Sequence, residues 1–78
     1  MNVAGYFQEI ATAAEDWMRE VGEVHRKDAA AKEIGLSWAE CCRAFGDEYL
    51  AVENAHKERC AIAAQKYGVA SFIVETVQ

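Results

Sequence analysis

Two carboxylates stand three residues apart in "REVGEV" (19–24), and a third acid follows in "FGDEYL" (45–50). On a helix, Glu20 and Glu23 share a face one turn apart, where oxygen ligands can bind a hard divalent cation together. Asp47 supplies the next acid. Further on, Glu53 and His56 have the i, i+3 spacing with which helices of di-iron bundles hold metal. If the chain folds back on itself, Glu20 comes level with Glu53. Glu20, Glu23, Asp47, Glu53 and His56 are therefore the candidate metal ligands. Simpler explanations compete with each. A solvated helix face accounts for the acids, and a hydrogen-bonded core histidine accounts for His56, which falls within an apolar stripe. A second Glu-x-x-His is absent from the sequence, and no metal or cofactor is assigned.

The order of these acids resembles that of the MazG-type all-α nucleoside triphosphate pyrophosphohydrolases, across about residues 17–55. Their pattern is E-E-x-x-E, a spacer, then E-x-x-D, and "EVGEV" and "FGDEYL" are similar in wording. The resemblance implies a helical fold with Mg²⁺ on Glu20, Glu23 and Asp47 and attack on a phosphoanhydride. Two positions depart from the pattern: Arg19 stands in place of the first Glu, and Ala44 in place of the fourth. Three of the five acids remain.

Other chemistries find less in the chain. Ala31, Gly35, Cys41 and Ala44 fit the small-residue and turn spacing of a helix-turn-helix. Its second helix would offer one base, Arg43, beside Glu40, Asp47 and Glu48. A DNA reader needs lysines and arginines for the phosphates, so direct nucleic-acid binding is not expected. No serine or cysteine is placed beside His25 or His56 for nucleophilic catalysis, and no glycine-rich phosphate loop occurs. No catalytic residue is assigned. Cys41, Cys42 and Cys60 are odd in number and lack Cys-x-x-Cys spacing, which points to reduced thiols in the cytoplasm. The longest uncharged apolar run, "YGVASFIV" (67–74), is far short of the roughly 20 residues that a membrane span needs.

What holds these residues is a chain of 78 with a net charge of −5. It is 53% apolar and 27% charged, with no proline. That is the composition of a single small globular domain built from helices. Fifteen of the apolar residues are alanine, so the core they can fill is thin. A domain this size buries only about 60% of its unfolded surface. Association is the expected remedy.

Val3, Phe7, Ile10, Ala14, Trp17, Val21 and Val24 recur at steps of four and three, with Ala31 continuing the stripe. The pattern predicts a first helix over about residues 3–33. Gly35 can close it in the left-handed conformation. Ser37 and Glu40 then form the S-x-x-E capping box of a second helix, with Leu36 and Cys41 as its hydrophobic staple. Trp38, Cys42, Phe45, Tyr49, Val52, His56, Cys60, Ala63 and Tyr67 form the second stripe, and Gly68 is the expected C-terminal cap. The tail "VASFIVETVQ" (69–78) reads as a short third helix, with an intermolecular strand as the alternative.

Two helices of about 30 residues, each about 45 Å long, joined by so short a corner make an antiparallel hairpin. The expected fold is all-α: one helical domain over residues 1–78, dimerising into a four-helix arrangement. Level charges support the pairing. Lys57 and Arg59 fall near Glu15 and Asp16, and Arg26 and Lys27 near Asp47 and Glu48. Asp16, Glu20 and Glu23 remain on one flank of the first helix with Glu53 across from them and no obvious base for Glu20 or Glu53. These four are the expected partner-binding residues. Together the features suggest a small acidic, non-enzymatic interaction protein, a homo-oligomer whose flank meets a basic surface on a protein partner. Its size and charge are similar in type to the inhibitors that phages and mobile elements encode to occupy nucleic-acid-binding grooves. A MazG-like hydrolase is the second reading, and a helix-turn-helix protein the third.

Overall fold

A computed structural model describes residues 2–69. Helix α1 spans Val3–Glu33 and α2 spans Trp38–Lys66, and the two pack against each other as a helical hairpin. The bounds follow the local chemistry. Asn2 caps α1, its Oδ1 accepting the Gly5 N–H at 2.9 Å. At the other end the N–H of Gly35 (φ 101°) reaches the Lys32 carbonyl, and the N–H of Leu36 reaches that of Ala31. Both bonds satisfy carbonyls that the end of a helix leaves open.

Two residues later α2 begins. The Glu40 N–H donates to Ser37 Oγ and the Ser37 N–H donates to Glu40 Oε1, each at 3.2 Å, so the expected capping box is complete. Cys41 beside it is buried and Leu36 half-buried. Gly68 (φ 74°) closes α2 as Gly35 closes α1, with the Val69 N–H on the Ala64 carbonyl at 2.8 Å. The short third helix expected over residues 69–78, and the intermolecular strand that is its alternative, fall outside the described residues except at Val69, which belongs to the cap of α2.

Three ring contacts mark the antiparallel register along the seam. Tyr6 meets Tyr67 at 6.4 Å, Trp17 meets His56 at 5.7 Å, and His25 meets Tyr49 at 5.3 Å between centroids. The seam keeps part of the expected stripes, Val24 and Ala31 of the first and Ala63 of the second, and replaces the rest. Its buried residues are Ala13, Val24 and Ala31 on α1 and Cys41, Ala63 and Ala64 on α2. Phe7 is 62% exposed and Trp38 75%, although both belong to those stripes. The reason is size: small side chains let two helices approach closely, and alanine dominates the seam. At about 100° per residue, the face carrying Ala13 lies a quarter turn from the one carrying Ala14. Helix α1 therefore has two apolar faces, of which α2 covers one.

Candidate functional site

The acids of the proposed flank fall on both sides of the seam. Glu20 receives both guanidinium N–H groups of Arg59, at 2.6 and 3.1 Å, in a forked pair. Glu53 instead accepts the indole N–H of Trp17, Nε1 to Oε1 at 2.9 Å. Six residues separate Glu53 from Arg59, about 120° around α2. Both side chains meet α1, so the Glu20–Arg59 pair lies along one edge of the hairpin and the Trp17–Glu53 bond along the other. Asp16, Glu20 and Glu23 do share a flank of α1, as the spacing requires, but Glu53 does not join them.

The expectation that no base serves Glu20 is corrected by Arg59. Simple levelling put Arg59 beside Glu15 and Asp16. Side chains on a helix lean toward its N-terminus. On α2 that direction runs toward the corner, and it carries the long arginine up to Glu20. The forked bond holds the Glu20 carboxyl below its ordinary range, with burial opposing the effect, and holds the Arg59 guanidinium above its own. Asp16 pairs with Arg19 one turn along, at 3.0 Å. Glu23 is exposed and in no ion pair among the described residues.

Along the same edge, Glu9 accepts from Lys66 and from the Tyr67 hydroxyl, and Lys27 bonds Glu48 at 2.9 Å. The lysine bond, chiefly, holds the Glu9 carboxyl below its ordinary range. Between the helices runs an open groove of about 290 Å³, lined by Glu9, Thr12, Ala13, Asp16, Arg59 and Ile62. Its chemistry is mixed: carboxylates along α1, an exposed Ile62 on α2, and one guanidinium already engaged. Such a groove suits a protein surface better than a small substrate, which needs enclosure.

As metal ligands the candidates do not converge. Among the described residues, no group of three or more His, Cys, Asp or Glu is placed to hold an ion. Glu20 is committed to Arg59, Glu53 to Trp17, and Asp47 is exposed. His56 turns Nε2 to Cys60 Sγ at 3.7 Å, one helical turn on, which corrects the expectation that no cysteine stands beside it, while its Nδ1 is buried without a hydrogen-bond partner. The Mg²⁺ set implied by the MazG resemblance, Glu20, Glu23 and Asp47, is likewise not gathered into one site.

One cluster escaped the sequence reading. The Tyr49 hydroxyl donates to Asp28 Oδ2 at 3.3 Å and lies 3.3 Å from His25 Nδ1. A hydroxyl has one proton, so the histidine contact requires His25 to donate from Nδ1. Lys32 stands 3.5 Å from the same carboxylate. Burial raises the Asp28 carboxyl, but the Cys41 thiol, Lys32 and Tyr49 outweigh it and leave the group below its ordinary range. Burial, and then the nearby Asp28 charge, push the Cys41 thiol and the Tyr49 phenol up. Both stay protonated at neutral pH, so the cluster braces the corner and contains no activated nucleophile. The four-residue spacing of His25 and Tyr49 from other stripe members was visible, but the break at Asp28 hid their meeting.

No family model matches this chain, and neither does any curated protein or solved structure. No helix among the described residues is long and apolar enough to cross a membrane.

Proposed function

We propose that this chain is a non-enzymatic interaction protein of the cytoplasm whose acidic flank on α1 engages a basic surface of a protein partner. It acts as an inhibitor by covering a surface that nucleic acid would otherwise occupy, and it does so as a dimer of hairpins. The observation that supports this best is the groove edge of α1. Glu9 and Asp16 line it with the exposed Ile62, and by spacing Glu20 and Glu23 continue the same flank of α1 beyond the groove, within a chain carrying a net charge of −5. Acidic residues around an apolar contact are the complement of a phosphate-binding surface. The internal pairs refine the assignment. Glu20 is engaged by Arg59, so the groups free to meet a partner are Glu23 and, at the cost of a surface pair, Asp16. Glu53, bonded to Trp17 on the opposite edge, is left out of the proposed surface.

Competition tests the inhibitory part. With a partner obtained by affinity capture, nucleic acid and this protein should exclude one another, and the competition should weaken as salt rises. A stable ternary complex of partner, nucleic acid and this protein would contradict it.

A further inference from the structure

Helix α1 has a second apolar face that α2 leaves open, made of Val3, Phe7, Ile10, Ala14, Met18 and Val21. Val3 and Phe7 are exposed, as is Met18 at 56%, and the other three are half-exposed. No ionisable residue lies in this stripe. Its centre lies about 90° around α1 from the seam residues Ala13, Val24 and Ala31. That is the angle at which a helix in a four-helix bundle meets its two neighbours.

We propose that the outer stripe of α1 is the surface on which a second copy of this chain docks, antiparallel and about a two-fold axis at Ala14. The proposal rests on the dimer reading above and specifies its surface. Three observations favour a second copy as the occupant. First, the stripe is self-complementary. Reversed about Ala14, Phe7 falls level with Val21 of the other copy and Ile10 with Met18, while two alanines meet on the axis. A two-fold interface demands this match of a patch with itself. Second, the hairpin extends 51 by 25 Å, so one broad face offers more than the roughly 800 Å² that each partner of a standard interface buries. Among the described residues no large side chain is fully buried, and a contact through this face would supply the core they lack. Third, Thr12, Asp16 and Glu23 lie about 160–180° from the stripe around α1. Pairing two chains through the stripe turns both acidic flanks outward, where their repulsion is least and a partner can reach them.

Sedimentation equilibrium at micromolar concentration tests the surface. The wild-type chain should give twice its 8.7 kDa mass. Phe7→Glu and Met18→Glu should each weaken the dimer at least 100-fold and sediment as monomers. Ile62→Glu, an exposed position in the groove on the opposite side of the hairpin, should remain a dimer. A monomeric wild-type chain would overturn the dimer itself. A dimer that survives Phe7→Glu and Met18→Glu but not Ile62→Glu would overturn only the surface. Should Phe7→Glu fail to fold, disulfide trapping in a Cys42→Ser background decides. Oxidised Ala14→Cys should form covalent dimers and Phe7→Cys should not. Covalent dimers from both variants would mean a parallel pairing, and covalent dimers from Phe7→Cys alone would move the axis away from Ala14; either result would sink the two-fold at Ala14.

Discussion

Three glycines lie inside the helices, and alanine at each should act differently because the space a Cβ would enter differs. At Gly46 nothing lies within 4 Å of that position, and at Gly22 the nearest group is the tip of Arg26, at an ordinary 3.7 Å. Both have negative φ, so alanine fits without strain. Each substitution should then gain the helix propensity that glycine lacks, about 1 kcal/mol. The two sites do not touch, so the double variant should gain about 2 kcal/mol. For a domain of this size that is a rise in Tm of about 8–16 °C. Gly5 is the opposite case. A Cβ there would stand 2.8 Å from the Tyr67 ring and from the Asn2 side chain. Asn2 caps α1, and Tyr67 packs on Tyr6 and bonds Glu9. Shifting the ring and loosening the cap should outweigh the small propensity gain of a first-turn position, for a net loss of about 1–2 kcal/mol. Thermal and urea unfolding at one fixed protein concentration would measure all three, since association also moves Tm. A loss of stability at Gly46 would refute the reasoning, because it would mean that something packs where the hairpin has open space. A neutral Gly5→Ala would show that Tyr67 does not sit on α1 as described.

Two further outcomes follow from the charged groups. The Glu9 and Glu20 carboxyls lie below their ordinary value of 4.5 when folded. Their contribution is fully present above pH 4.5 and is lost as pH falls through the lowered folded values. Stability by circular dichroism should therefore drop as the solution is acidified below that point, and Glu20→Gln should flatten the drop. An unchanged acid limb in Glu20→Gln would contradict the forked pair. With Arg19 and Ala44 in place of acids, nucleoside triphosphates with Mg²⁺ or Mn²⁺ should yield no appreciable pyrophosphate. Turnover that vanishes in Glu20→Gln or Asp47→Asn would promote the hydrolase reading over the inhibitor.

The helix bounds were legible because they rest on local chemistry. Gly35, the Ser37–Glu40 box and Gly68 each act within a few residues, and the structure ends its helices where they stand. The seam was legible only in part, through the stripe members Val24, Ala31 and Ala63, which are buried. The stripes run mostly through large apolar residues, whereas close approach of two helices selects the smallest, so Ala13 and Ala64, outside the stripes, are buried while Phe7 and Trp38 are exposed. The site was readable to the same depth. Asp16, Glu20 and Glu23 share a flank because spacing alone places them. Arg59 on Glu20 and Trp17 on Glu53 depend on how long side chains lean across the seam, which residue numbers do not record.

The account's central claim is that the acidic flank of α1 is the partner-binding surface, and a paired charge reversal tests it most directly. Glu20 is unsuited, since lysine there would face Arg59. Asp16→Lys with Glu23→Lys reverses the flank and gives up only the surface pair of Asp16 with Arg19, so unfolding of the variant is measured beside binding. Glu33→Lys with Glu58→Lys is the control, equal in charge change and at exposed positions elsewhere. Affinity capture from lysate with quantitative mass spectrometry, followed by titration of the captured partner, would compare them. The flank pair should weaken binding at least tenfold, roughly 1.4 kcal/mol, while the control stays within about threefold of wild type. Equal losses in the two pairs would mean that net charge alone is felt, and no loss in either would mean that the flank is only solvated.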